Sequence, residues 1–349
     1  MADAASPAAL GEVEDAIVSP LPSDLRLLLG RWNGGRLPTG TLLRAGGNEP
    51  GSILGAMQEL ALRLDRATTD PELPLPYFLA ADGALLAFDR SAAPVADTWP
   101  VLDCPPRADD LRLVHRTFDG WCRLCLAEWT APELGQPFSL DGYLRAGQRH
   151  AEVESDVAAA HATVAHALRR SGRPEAALES YMRAGRCVPP LQWCNWEALK
   201  LAILLGNVPS ALEAGRRLCT RAPRNGWAAR AVTPAQVAAA LGLLVADVDP
   251  PEPLLGLLDQ LVPQAEPDEQ AEIGAIRRAV FNGEAVPPTR PMRTTAVPEQ
   301  DDADAFWAAL EQAFTAGKVR DEDLLLDPVY RKLARKRLLS DLLRIRREF

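Results

Sequence analysis

A chain of 349 residues exceeds one small domain and divides naturally into two or three compact units. Its 47% hydrophobic and 24% charged residues exclude a mostly disordered chain. The net charge of −9 argues against nucleic acid as the default partner, and no apolar run of about 18 residues offers a membrane span. The opening Met1–Pro7 carries Asp3 and no basic segment, so no secretory signal is expected and a cytoplasmic location is. The six cysteines, Cys104, Cys122, Cys125, Cys187, Cys194 and Cys219, then read as reduced thiols buried as small hydrophobes.

Charge is distributed unevenly. Residues 1–130 hold eleven basic and eighteen acidic side chains, a balance of −7, whereas 331–347 hold eight basic side chains and only Asp341 as acid. The expected organisation is an α+β domain over 1–130, an all-α helical-repeat array over 150–283, a Pro-rich linker over 284–300 and C-terminal helices over 301–349.

In the first region, Leu25, Leu28, Leu29 and Trp32 fall at helical spacing after Pro22, and Asn33-Gly34-Gly35 supplies a stop through a left-handed residue. Ile53 to Leu64 predicts a second amphipathic helix. Leu75 to Ala80 and Ala84 to Asp89 flank Asp82-Gly83, the usual hairpin signal. Phe118, Trp121, Cys122, Cys125 and Trp129 predict a closing helix with one apolar side. Arg36 to Pro50 fits no clear element.

These residues resemble the opening of the SUKH superfamily, of the Smi/Knr type. Leu21-Pro22-Ser23-Asp24-Leu25 matches its helix start and Asn33-Gly34-Gly35 its stop. Phe78 to Gly83 with Ala87-Phe88-Asp89 matches its central hairpin, and Thr117 to Trp121 its closing helix. The resemblance covers about the first 130 residues. It implies a non-catalytic binding module, either a toxin-neutralising immunity protein or a regulatory scaffold.

From Ala158 to Pro223 the pattern is helical with a repeat of 34: Gly172 and Gly206, Ala177 and Ala211, Ala184 and Leu218, and Pro189 and Pro223 correspond. A small residue between helices, Ala in the second helix and Pro at the end of each unit resemble the tetratricopeptide repeat. Tyr181 fits its aromatic position; Gly215, 34 residues on, does not. Segments 228–244, 253–262 and 269–281 are expected to continue the stack in degenerate form. By that register, His166, Arg169 and Arg170 face Trp193, Trp196 and Lys200 on a candidate concave partner-binding surface. The plainer alternative has the two tryptophans filling the groove between units and His166 on a solvated face.

Catalytic signals are weak. Cys122-Arg-Leu-Cys125 has redox spacing, but Cys122 falls inside the predicted helix, where no helix N-terminus favours thiolate. His115 lacks nearby metal partners, while His150, His161 and His166 read as helix-surface residues. No phosphate loop or nucleophile elbow is present, and no cofactor is implied. The C-terminal run from Val329 to Phe349 is amphipathic and reads as a cap on the array with a basic outer face. The sequence therefore points to a non-enzymatic protein-binding module whose partner is a basic toxin or a regulatory complex. A thiol redox enzyme using Cys122 and Cys125 is the alternative.

Overall fold

The computed structural model describes residues 3–92, 94, 99–106, 111–220, 232–284 and 286, with isolated positions 308 and 312. Two compact units divide the chain, Met1–Ala160 and His161–Phe349. Apart from residues 284 and 286, the expected Pro-rich linker lies outside the described residues, as do the basic terminal helix and Pro223. The architecture is α+β followed by helices, and among the described residues no helix is long and apolar enough to cross a membrane.

The first unit opens with α1 (Pro7–Ile17), whose N-cap Ser6 accepts the Ala9 amide, and α2 (Ser23–Leu29). Leu25 and Leu29 of α2 are buried, but Trp32 is 42% exposed because the helix ends before it. Gly30 caps that end with a right-handed φ of −66°, so Asn33-Gly34-Gly35 is not the helix stop. Its work is different. Gly34, with φ of +85°, turns the chain into the first strand, and the Asn33 side chain bonds both the amide and the carbonyl of Ala45.

Six antiparallel strands follow as a meander in sequence order: β1 (Gly35–Leu37), β2 (Gly40–Leu42), β3 (Leu75–Ala80), β4 (Leu85–Phe88), β5 (Val101–Cys104) and β6 (Arg112–His115). The segment without a clear sequence signal forms the β1–β2 hairpin. Between β2 and β3 lies α3 (Ile53–Arg63), which buries Ile53, Met57, Leu60 and Ala61 on one side. The β3–β4 hairpin forms around Asp82-Gly83 as its residues dictate, with Gly83 at φ of +87°. Pro76 lacks an amide to donate inside this sheet, and the β3–β4 register shifts between Pro76 and Phe78. Helix α4 (Phe118–Trp129), capped by Thr117, contributes Phe118 and Trp121 to an aromatic core with Tyr77 and Phe88. The unit continues beyond residue 130 through α5 (Leu140–Val153), a polar helix packed on α4 that the sequence reading left unassigned.

The second unit is helical throughout its described part. Its first four helices are α6 (Ala158–Arg170), α7 (Pro174–Arg186), α8 (Gln192–Leu205) and α9 (Val208–Leu218). The starts of α6 and α8 are 34 residues apart, as are those of α7 and α9. Gly172 and Gly206 both adopt left-handed backbone, at φ of +71° and +69°, which is why each helical hairpin turns at a glycine. Ala177, Ala211, Ala184 and Leu218 are all fully buried, so the corresponding positions do corresponding packing work. The helices α10 (Pro234–Gly242), α11 (Glu252–Leu261) and α12 (Pro267–Phe281) extend the array, but α10 and α11 fall out of the 34-residue register. Gly215 shows how the second repeat is adapted. A Cβ there would stand 2.6 Å from Leu241 Cδ2, so α10 fills the space that Tyr181 fills in the first repeat.

Candidate functional site

The residues proposed for a concave face meet around a side chain that the sequence reading passed over, Glu197. Its carboxylate receives the Arg169 guanidinium and the Lys200 ammonium, the latter at 2.8 Å. Lys200 Nζ also lies over the Trp196 ring, 5.5 Å from its centroid, and Trp193 meets Tyr181 edge-on at 6.1 Å. Arg169, Lys200, Trp193 and Trp196 are buried, and His166 and Arg170 are half-buried. The helix register thus places these side chains on facing helices, and packing encloses most of them. They form an internal electrostatic knot.

Electrostatics matches that geometry. Burial opposes ionisation of Glu197, but Lys200 and Arg169 overcome it and hold the carboxyl down at about 2. Burial, then the cations Arg169 and Arg170, push the His166 imidazole down to about 4 against the pull of Glu197. His166 is therefore neutral near pH 7.

Elsewhere in the unit, α7, α8 and α9 line an open groove of about 740 Å³. Gly185 and Asn195 line its inner part; Leu212, Glu213, Arg216 and Arg217 line the α9 side. Arg186 grips Glu213 with two bonds of 2.9 and 2.7 Å, and Arg217 bonds both Glu213 and the Gly185 carbonyl. Arg216 is exposed, and among the described residues it takes part in no ion pair. Among the lining residues Arg216 and Arg217 stand against Glu213, an excess of one positive charge. Sequence reasoning missed it, since Arg216 and Arg217 carry no motif and their shared face with Gly185 is set by the packing of three helices.

The first unit holds two further groups of chemical interest. Cys122 is the fifth residue of α4, away from the helix N-terminus. Burial and then Asp119 push its thiol up to about 11, while burial and then Glu128 push Cys125 up to about 12. Both are thiols at neutral pH. The other group is His115 at the end of β6 with His150 and Glu154 at the end of α5. His115 Nδ1 lies 2.5 Å from Glu154 Oε2, and the two imidazole rings lie 5.0 Å apart, tilted by 36°. Glu154 Oε1 accepts the Arg116 amide at 2.7 Å, and a Cβ on Gly120 would collide with that carboxylate. His115 and His161 are buried and His150 is partly so, which differs from the expected surface positions of the helical histidines. The one local signal was the His150-x-x-x-Glu154 spacing, which puts both side chains on one face of a helix.

No family model matches the chain, and no curated protein is detectably similar to it in sequence.

Proposed function

We propose that the chain is a non-enzymatic protein-recognition molecule whose tetratricopeptide-like helical unit receives an acidic segment of a partner protein. The observation that carries this reading is the groove between α7, α8 and α9, whose lining sets Arg216 and Arg217 against Glu213 and exposes Arg216. Helical hairpins in 34-residue register cover one another's apolar faces and leave a continuous surface that partner segments can follow. The raised thiol pKa values of Cys122 and Cys125 favour structural thiols over the redox alternative, because thiolate is the nucleophile in such chemistry.

A second reading rests on the acidic front of the chain. The β3–β4 hairpin and α4 are the elements on which this SUKH-based reading rests. The −7 balance of residues 1–130 suits an immunity module that takes a basic toxin.

Charge reversal separates the two. With a captured partner, Arg216→Glu is expected to weaken equilibrium binding at least about tenfold, because like charge across an interface is strongly unfavourable. Reversal of exposed Asp15 and Asp24 to lysine is expected to leave the affinity unchanged. Retained affinity in Arg216→Glu, with loss in the Asp15→Lys and Asp24→Lys variant, would transfer recognition to the first unit.

A further inference from the structure

We infer that His115, His150 and Glu154 form a binding site for a zinc-class divalent ion. One donor atom from each of the three lies within 4.8 Å of the other two. Both imidazoles converge on the same carboxylate oxygen: Glu154 Oε2 is 2.5 Å from His115 Nδ1 and 3.8 Å from His150 Nε2. A tetrahedral ion at about 2.0–2.2 Å from nitrogen and oxygen donors holds them roughly 3.3–3.6 Å apart, so binding opens the His115–Glu154 pair by about an ångström and brings the three donors round one point. Two imidazoles and one carboxylate select a borderline first-row ion over magnesium or calcium, which take oxygen ligands.

The surroundings orient the carboxylate for this role. Glu154 Oε1 is occupied by the Arg116 amide, which leaves Oε2 turned toward the imidazoles. The missing side chain of Gly120 makes the room in which the carboxylate sits. Such outer contacts orient a ligand and tune its affinity. The His115 and Glu154 side chains are 5% and 7% exposed, whereas His150 is 14% exposed and lies on the side open to solvent. His150 Nε2 also bonds the Val114 carbonyl at 2.8 Å, and ion binding requires it to turn from that oxygen. Three protein ligands leave the fourth position to water. Because β6 supplies one ligand and the end of α5 two, the ion ties α5 to the last strand of the sheet.

The experiment uses the full chain after chelator treatment, titrated with Co²⁺ and separately with Zn²⁺. One Co²⁺ per chain is expected, with visible d–d bands and no thiolate-to-cobalt charge-transfer band. In spectra of ¹⁵N-histidine protein, Zn²⁺ is expected to shift two of the four imidazoles and to leave His161 and His166 in place. His150→Gln, at the exposed edge, and Glu154→Gln, which keeps an acceptor for Arg116, are each expected to weaken binding at least about tenfold. Zn²⁺ is also expected to raise the Tm, since an ion that binds only the folded state stabilises it. Absence of binding overturns the inference, as do thiolate bands, shifts confined to His161 and His166, or affinity unchanged in both variants.

Discussion

Glu197→Ala is expected to destabilise the second unit by about 3–5 kcal/mol, the usual cost of removing one partner from a buried ionic group. Arg169 and Lys200 are 9% and 8% exposed at their side chains, so the variant leaves two cations side by side without their shared carboxylate. Replacing all three by apolar residues of similar size, as Arg169→Met, Glu197→Leu and Lys200→Met, is expected to recover most of the loss. Burial of a charged group is costly in itself, and its Coulomb attraction only offsets that cost.

The same cluster sets an acid response. The His166 imidazole is held at about 4, below its unfolded value of about 6.5, so protonation favours the unfolded chain. Its contribution is present above pH 6.5 and disappears as pH falls toward 4. The Glu197 carboxyl, held at about 2 against about 4.3 unfolded, contributes above pH 4.3 and loses that contribution toward pH 2. Urea midpoints of the wild type should therefore fall through both windows, and Glu197→Ala should flatten the lower one. An unfolding free energy of Glu197→Ala within about 0.5 kcal/mol of wild type, the range of ordinary surface changes, would mean that Glu197 is not enclosed as described.

Tyr181→Ala is the second large effect, at about 3–5 kcal/mol by analogy with other buried aromatic truncations. Tyr181 is 1% exposed and packs against Trp193 where the first helical hairpin meets α8. The corresponding change in the next repeat has the opposite character. Gly215 already yields its space to Leu241, so Gly215→Ala overpacks that contact and is expected to cost about 1–3 kcal/mol. Denaturant unfolding measures both. A tolerated Tyr181→Ala would contradict the packing assigned to the first repeat; a stabilising Gly215→Ala would contradict that assigned to the second.

What the sequence made legible was local chemistry. Gly172 and Gly206 announced two turns because left-handed backbone after a helix selects glycine, and both turns are found there. Asp82-Gly83 marked its hairpin, and Phe118 with Trp121 marked α4, for equally local reasons. The stop at Asn33-Gly34-Gly35 was misplaced since Gly30 can end α2 without a left-handed turn, leaving Gly34 to serve the strand. Helix α5 escaped notice because Gly147 is its one buried residue, so it has little apolar periodicity to read. The candidate sites depended on tertiary placement. His115 and Glu154 are 39 residues apart and meet only because α5 packs at the end of β6. Arg169 and Lys200 meet around Glu197 and are buried with Trp196, yet spacing carries no information about what encloses a face. Nothing in the spacing marks Glu197, which follows Trp196 in α8 and is reached by Arg169 of α6, two helices earlier in the chain.

The central claim is that recognition of a protein partner belongs to the groove of the helical unit. Its most direct test is site-specific photocrosslinking of the full chain, with the reactive residue at position 216 in the groove and, separately, at Leu62, which is 84% exposed in the first unit. Mass spectrometry of the adducts then identifies both the partner and the segment that was touched. The account predicts adducts from position 216 to a segment of net negative charge, lost in excess salt as screening shortens, and none from position 62. Adducts from position 62 alone, adducts from 216 to basic segments, or none from either position would contradict it.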